Sequence, residues 1–137
     1  MYKKILVSLC IPVKGTSIWI QERMTQDQFQ GKWEFPGGKV NSDEDPQDCC
    51  KREFKEETGL EVSSLKFFHT YFWKYEKMNI EFFLYLANVK MDSCSGKWID
   101  IKEALSNSHY FPEANHQMLN DLKDYLETYA KRGISPV

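Results

Sequence analysis

The chain has 137 residues, of which 42% are hydrophobic and 28% are charged, and its formal net charge is −2. This length predicts a single domain over residues 1–137, large enough to bury a substantial core. The near-neutral charge argues against a protein that grips nucleic acid through phosphates, and no apolar run is long enough to cross a membrane. The cysteines lack metal-ligand spacing, which favours reduced thiols. We therefore expect a cytoplasmic monomer with no stable nucleic-acid or membrane partner.

The first predicted elements are two strands that form a hairpin. Residues 4–13 and 17–21 are rich in apolar side chains, and a Lys-Gly pair between them suits a tight turn. A shorter extended segment at residues 32–38 ends in Gly37 and Gly38. Because glycine has no side chain, the backbone can turn tightly here and bring its carbonyl groups toward a ligand.

The next predicted element is a helix with well-marked ends. Asp45 is the expected N-cap, Pro46 takes the first helical position, and Gly59 follows Thr58 at the expected end. The sequence around this helix reads GKVNSDEDPQDCCKREFKEETGL. It carries a fixed set of charged residues: Glu44, Arg52, Glu53, Glu56 and Glu57.

The acidic residues of this helix are spaced for metal binding. Glu53 and Glu57 lie one turn apart on one face, and Glu56 lies beside them. Three anions this close repel one another unless a cation offsets their charge, and carboxylate oxygens suit Mg²⁺ or Mn²⁺. Arg52, four residues before Glu56, can orient or partly neutralise the cluster. The alternative is a solvated acidic face, which is disfavoured because the glycines and the arginine stand in register with the glutamates.

The second half of the chain predicts three strands and two helices. Residues 65–75 and 80–89 are aromatic and β-branched, as strands require. Residues 98–101 form a short strand that leads into a helical segment at 102–106, and residues 112–131 carry apolar side chains at helical spacing. We therefore expect an α+β fold, an α/β/α sandwich with a mixed β-sheet between helices.

The signature around the acidic helix resembles that of the Nudix hydrolase family, with every fixed position filled. Three further stretches resemble the MutT branch of this family: IWIQER at residues 18–23, KWEFPGGK at 32–39 and FPEAN at 111–115. The last stretch discriminates between branches, because the signature alone indicates only that a diphosphate is cleaved. The resemblance extends over most of the chain and implies one Nudix domain.

The resemblance implies a metal-dependent pyrophosphohydrolase. Water would attack the β-phosphorus of a nucleoside triphosphate and release a monophosphate and pyrophosphate, with Mg²⁺ or Mn²⁺ polarising the phosphoryl oxygens. The general base stays open between Glu53, Asp92 and a metal-bound hydroxide. The carbonyl group of Gly37 would join three carboxylates around the metal. The implied catalytic and metal-binding residues are Gly37, Glu44, Arg52, Glu53, Glu56 and Glu57.

The resemblance also implies that Asn115 reads the base of 8-oxo-dGTP. In guanine, O6 and N7 are both acceptors, and oxidation at C8 turns N7 into a donor. An amide offers an acceptor and a donor, so Asn115 can accept from N7 and donate to O6. The alternative is that Asn115 only caps the last helix.

The remaining substrate-binding candidates surround this amide. Arg23 and Lys39 are candidates for phosphate contacts through charge-assisted hydrogen bonds. Phe35 and Tyr75 can pack against the base, with ordinary core packing as the alternative for each. The full set of substrate-binding candidates is Arg23, Phe35, Gly38, Lys39, Tyr75, Met78 and Asn115.

Three functional hypotheses follow from the sequence. The first is a hydrolase of 8-oxo-dGTP that sanitises the nucleotide pool and avoids mutation. The second is a Nudix hydrolase for another substrate, such as a pyrimidine triphosphate or the 5′-triphosphate end of RNA. The third is a binding module without activity, which is disfavoured because none of the metal-binding glutamates is lost.

Overall fold

The computed structural model describes residues 3–90 and 96–137. Its strands are β1 (Lys3–Lys14), β2 (Ser17–Glu22), β3 (Trp33–Glu34), β4 (Gly37–Lys39), β5 (Ser64–Tyr75), β6 (Met78–Asn88) and β7 (Lys97–Asp100). Its helices are α1 (Pro46–Thr58), α2 (Ile101–Ser106) and α3 (His116–Arg132), with 3-10 turns at Ser108–Tyr110 and Glu113–Asn115. Asp92, one of the candidate bases, lies outside the described residues.

The long strands form a mixed sheet. The strand order is β3-β2-β1-β6-β5, with β4 paired to β1 and β7 paired to β2. β1 runs parallel to β6, whereas the pairs β1–β2 and β5–β6 are antiparallel. The parallel pair places the start of the chain beside its middle, so that side chains from distant segments share one face of the sheet.

Helices cover both faces of this sheet. Because side chains alternate along a strand, Leu9 and Ile11 of β1 face the larger core, to which α3 contributes Leu119. Cys10 points to the opposite face and packs with Phe54 of α1. The predicted α+β fold, a mixed sheet between helices, is confirmed.

The predicted ends of α1 are also confirmed. Asp45 caps its start by accepting a hydrogen bond from the N–H of Gln47, and Gly59 ends it with a φ of 76°, a conformation that other residues adopt only under strain. The Oγ of the buried Ser8 donates to the carbonyl oxygen of Pro46 at 2.6 Å. This hydrogen bond ties the first turn of α1 to β1 and sets the position of the acidic helix relative to the sheet.

Two predicted boundaries are wrong by a few residues. Asp100 caps α2 with its side chain, so Ile101 begins that helix instead of ending the strand. The last helix begins at His116 rather than at Pro112, because Pro112 is extended and a 3-10 turn follows it. This turn places Asn115 ahead of α3. None of the helices in the described ranges is long and apolar enough to cross a membrane.

Candidate active site

One guanidinium organises most of the acidic residues around α1. Arg52 donates from Nε and Nη2 to the carboxylate of Glu44 at 2.7 and 3.0 Å. Its Nη1 lies 3.0 Å from Oε1 of Glu53 and 3.3 Å from both carboxylate oxygens of Glu56. The hydrogen bonds from Arg52 lower the pKa of Glu44 to about 2, so this carboxylate is ionised at neutral pH. Arg52 thereby offsets part of the repulsion among the anions.

Glu57 faces the strands instead of this guanidinium. Its Oε2 accepts the N–H of Gly37 at 2.9 Å, and its Oε1 accepts from Nε2 of Gln21 at 3.0 Å. Burial raises the pKa of Glu57 from 4.5 to about 7, and the two hydrogen bonds offset only part of this effect. A buried carboxylate with a raised pKa is stabilised in its ionised form by a nearby cation.

Two glycines let the backbone pass closely between β1 and α1. A Cβ atom at Gly37 would collide with the carbonyl oxygen of Ser8. A Cβ atom at Gly38 would lie 2.5 Å from Cδ of Glu53. Because neither residue has a side chain, the backbone can lie beside the carboxylates of α1. This is the close approach expected from the sequence.

The chemistry of these groups fits a hard divalent cation. The candidate ligands are the carbonyl group of Gly37 and the carboxylates of Glu53, Glu56 and Glu57, all oxygen donors of the kind that Mg²⁺ prefers. Within residues 3–90 and 96–137, no three acidic, cysteine or histidine side chains are grouped to hold a metal ion, so the convergence of these ligands stays a prediction. Of these ligands, Glu53 and Glu56 bind the guanidinium of Arg52. Glu57 instead accepts the N–H of Gly37. Glu56 is 58% exposed, so packing does not lock its carboxylate.

A cavity of about 260 Å³ opens beside the two glycines. Its walls come from β1, from the loop after β2, from β3, β4, β5 and β6, and from the segment before α3. The predicted site residues that line it are Arg23, Phe35, Gly37, Gly38, Lys39, Tyr75 and Asn115. The structure thus gathers residues that are far apart in the sequence around one cavity.

Asn115 is buried in the wall of this cavity, with 6% of its surface exposed. Its Nδ2 donates to Sδ of Met118 at 3.4 Å, and a thioether is a weak acceptor. In the described part of the chain, the side chain of Asn115 makes no capping hydrogen bond to α3. The capping alternative is therefore wrong, and the amide is available to a ligand in the cavity.

Arg23 lines the cavity, but its guanidinium is already engaged. Its Nε and Nη2 donate to the carboxylate of Asp27 at 2.6 to 3.1 Å, and its Nη1 donates to Oε2 of Glu34 at 3.0 Å. Hydrogen bonds to Asp27, and then to Glu34, raise the pKa of Arg23. A phosphate contact would compete with both carboxylates. Lys39 lines the same cavity and forms no ion pair with the residues that the structure describes.

Comparison with known proteins identifies the family. The family model described as NUDIX domain matches residues 4–122. The chain belongs to the Nudix hydrolase family. The 8-oxo-dGTP diphosphatase of Haemophilus influenzae is 30% identical over 119 residues, which cover 80% of this chain and 86% of the relative.

A second relative and a solved structure agree with the Nudix assignment. The 8-oxo-dGTP diphosphatase of Buchnera aphidicola subsp. Schizaphis graminum is 31% identical over 129 residues, covering 91% of this chain and 96% of the relative. A solved MutT structure, from work on the Aliivibrio salmonicida and Vibrio cholerae proteins, has a TM-score of 0.65 and 28% identity. The match covers 89% of this chain and 98% of that one. Nudix hydrolases generally use a divalent metal such as Mg²⁺.

Three further predicted residues of the Nudix site lie in different environments. Phe35 is buried and packs against Phe111, with 5.8 Å between ring centroids, while also lining the cavity. Tyr75 lines the cavity, and burial raises its pKa. Met78 is not among the described residues that line the cavity. Met78 is the first residue of β6, about 7 Å along the strand from Ile80, which does line the cavity.

Several residues of the Nudix site were not expected from the sequence. Gln21 and Glu34 are register partners in the β2–β3 pair, but β3 has only 2 residues, too short for a recognisable strand pattern. Asp27 stands four residues after Arg23, a spacing typical of ion pairs on helices. Because the segment between β2 and β3 has no helical pattern, this spacing does not predict the ion pair.

Proposed function

We propose that this Nudix hydrolase is a Mg²⁺-dependent nucleoside triphosphate pyrophosphohydrolase whose preferred substrate is 8-oxo-dGTP. The observation that carries the proposal is the position of Asn115, a buried amide that faces a cavity bounded by Gly37, Gly38 and Lys39. The relatives described above are 8-oxo-dGTP diphosphatases, which supports the same substrate. The products would be 8-oxo-dGMP and pyrophosphate, which removes a mutagenic precursor of DNA.

The chemistry of the amide supports recognition of the oxidised base. Oδ1 of Asn115 accepts the hydrogen that oxidation places on N7, and Nδ2 donates to O6. The present acceptor of Nδ2 is the sulfur of Met118, so a carbonyl oxygen is a stronger replacement. Against ordinary guanine, Oδ1 would face the lone pair of N7. A buried polar group left without a partner is costly, and this cost favours the oxidised base.

The continuity of the cavity with the acidic helix supports phosphate cleavage at α1. Gly37 and Gly38 line the cavity, and the same residues contact Glu57 and Glu53 of α1. A base held at Asn115 would therefore direct its phosphates along β4 toward the carboxylates. Lys39, at the end of β4, lines the same cavity and would donate to a phosphate oxygen.

The proposed roles of the chain's own residues follow from this arrangement. Glu53, Glu56, Glu57 and the carbonyl group of Gly37 would hold the metal ion, which supplies polarisation of the phosphoryl oxygens and activation of water. Arg52, anchored by Glu44, would orient Glu53 and Glu56. In the reaction a bond forms between a water oxygen and the β-phosphorus, and the bond from that phosphorus to the oxygen bridging to the α-phosphate breaks.

The test is a comparison of kcat/KM for 8-oxo-dGTP with those for dGTP, dATP and dCTP in the presence of Mg²⁺, with pyrophosphate as the measured product. We expect 8-oxo-dGTP to have the highest kcat/KM. Comparable or faster cleavage of the ordinary triphosphates would overturn the proposed substrate but keep the Nudix assignment. It would direct attention to pyrimidine nucleotides and RNA 5′ ends.

A further inference from the structure

The loop between β2 and β3 places an aromatic ring in the cavity. Arg23 begins this loop, and its backbone N–H and carbonyl group bond to Lys32 and Gly31 at 2.8 and 2.9 Å, which closes the loop at its base. The N–H of Lys32 donates to the carbonyl oxygen of Phe29 at 3.0 Å. Phe29 lines the cavity together with Tyr75. The loop is therefore a hydrogen-bonded unit whose inner side belongs to the cavity.

Asp27 links the guanidinium of Arg23 to the backbone of Phe29. Its Oδ1 accepts the N–H of Phe29 at 2.9 Å, and the same carboxylate accepts three hydrogen bonds from Arg23. The carbonyl oxygen of Asp27 also accepts the N–H of Gln30 at 3.1 Å. These contacts fix the backbone on both sides of Phe29. The orientation of its ring toward the cavity thus depends on a carboxylate that itself is held by Arg23.

Phe29 and Tyr75 form an aromatic pair in the wall of the cavity. Their ring centroids are 6.4 Å apart and the rings are inclined by 70°, an edge-to-face arrangement. Tyr75 is the last residue of β5, which stands at the opposite end of the strand order from β3, the strand that follows the loop carrying Phe29. Ile80 and Phe82 of β6 add apolar surface to the same cavity. A flat aromatic ligand can pack against this pair while its edge faces a polar group.

We propose that Phe29 and Tyr75 select purine bases by packing against the bicyclic ring, and that Asp27 positions Phe29 through its bonds to Arg23. The proposal rests on the proposed function, because it assigns the cavity to the base of the nucleotide. It also assigns Arg23 to the support of this loop rather than to direct phosphate binding. The stacking energy against aromatic side chains grows with the area of the base, so a purine binds this pair more strongly than a pyrimidine does.

The first test replaces Phe29 and compares purine with pyrimidine triphosphates. For Phe29→Ala we expect the KM for dGTP and 8-oxo-dGTP to rise about tenfold, because one base–aromatic contact is lost, with kcat nearly unchanged. The KM for dCTP should rise much less. Phe29→Tyr, which keeps the ring, should restore the purine values. Phe72→Ala is the matched control, since Phe72 is exposed and does not line the cavity.

The second test asks whether Asp27 acts through Phe29. Asp27→Asn should reproduce the rise in KM for purines, and the double variant with Phe29→Ala should be no worse than Phe29→Ala alone, because both changes remove one interaction. Asp124→Asn, at an exposed position in α3, is the control for loss of a carboxylate. Effects that add in the double variant would overturn the positioning role. Thermal unfolding of each variant separates a change in KM from a loss of folding.

The outcomes distinguish this inference from the proposed function. If the parent enzyme cleaves dGTP as well as 8-oxo-dGTP, the proposed substrate is wrong, yet a selective rise in purine KM for Phe29→Ala still supports the aromatic pair. If Phe29→Ala or Asp27→Asn changes purine and pyrimidine KM by equal factors, the inference is wrong even when 8-oxo-dGTP is preferred. Equal factors are the result expected if Arg23 binds phosphate directly, since all triphosphates share that group.

Discussion

The acidic cluster around α1 and the cavity lined by Asn115 lie side by side in this Nudix hydrolase, but they are assembled differently. Glu44, Arg52 and the three carboxylates of α1 come from one helix and the loop before it. The cavity takes residues from Val7 in β1 to Asn115 before α3. Under the proposed function, a short stretch of chain supplies the groups for hydrolysis, whereas the path of the whole chain builds the cavity for the base.

This difference separates the expected effects of substitutions. Under the proposed function, a change in the cluster would act on the metal and on the phosphate groups that all nucleoside triphosphates share, so it should affect every substrate to a similar extent. A change in the cavity acts on the base, so it should alter the ratios between substrates. The substitutions below test this separation, from the largest expected effect to the smallest.

Glu57→Gln should have the largest effect. It removes a carboxylate that is expected to bind the metal, and we expect kcat/KM to fall at least about a hundredfold for every nucleotide. Pyrophosphate release from 8-oxo-dGTP and dGTP measures this. Glu61→Gln is the control, because Glu61 is exposed and forms a surface ion pair with Lys55 at 3.3 Å. Unchanged turnover in Glu57→Gln would contradict the proposed role of this carboxylate.

Arg52→Lys should weaken metal binding with a smaller loss of activity. Lysine cannot reproduce the fork that joins Glu44 to Glu53 and Glu56. We expect the Mg²⁺ concentration for half-maximal activity to rise roughly ten- to a hundredfold, as for other groups that orient metal ligands. Saturating Mg²⁺ should recover most of the parent kcat. A decrease in kcat that added Mg²⁺ does not relieve would instead place Arg52 in direct contact with the substrate.

Asn115→Ala should change selectivity more than rate. Loss of a bidentate contact costs about 1–3 kcal/mol, so the preference for 8-oxo-dGTP over dGTP should fall about 5- to 150-fold. The kcat/KM for dGTP should change little. Competition between the two nucleotides in one reaction measures the ratio directly. Equal losses for both nucleotides would show that Asn115 supports the cavity without reading the base.

The last and smallest expected effect is a change in the free energy of unfolding with pH, caused by the titration of Glu57. In the metal-free protein, burial raises the pKa of Glu57 from 4.5 to about 7. The folded state therefore holds a proton that the unfolded chain releases, so the stabilising contribution is complete below about pH 4.5 and is lost as the pH rises through about 7. Urea unfolding with a chelator present should show this fall in the free energy of unfolding.

Two comparisons sharpen the interpretation of that measurement. Glu57→Gln should lack this part of the pH dependence, because an amide does not titrate in this range. Mg²⁺ should stabilise the parent protein more at about pH 8 than at about pH 5, since metal ligands must be deprotonated. Stabilisation by Mg²⁺ that is equal at both pH values would argue against Glu57 as a ligand.

Sequence patterns predicted the strands and α1 well because these elements have strong local signals. Asp45, Pro46 and Gly59 mark the ends of α1 through backbone preferences that act within a few residues. The errors fall where local signals conflict. Ile101 has an apolar, β-branched side chain that suits a strand, yet the cap at Asp100 starts a helix there.

The arrangement within the site was harder to predict because side chains choose among partners from different elements. The spacing of Glu53, Glu56 and Glu57 indicates a shared helix face, but it does not reveal that Gly37 and Gln21 draw Glu57 away from Arg52. For the same reason, the sequence did not predict the hydrogen bonds from Arg23 to Asp27 and Glu34. A charge that looks free in the sequence can have its partners supplied by a loop or a neighbouring strand.

The sequence by itself determined the family, the acidic helix and its ends, because these depend on residue spacing and on backbone preferences that act over one or two turns. Tertiary structure alone decided that Asn115 lines a cavity instead of capping α3, and that Phe29 packs against Tyr75 in the wall of that cavity. Those contacts arise from the parallel pairing of β1 with β6 and from the closure of the loop after β2. Both join segments far apart along the chain, and such contacts depend on the packing of the whole sheet.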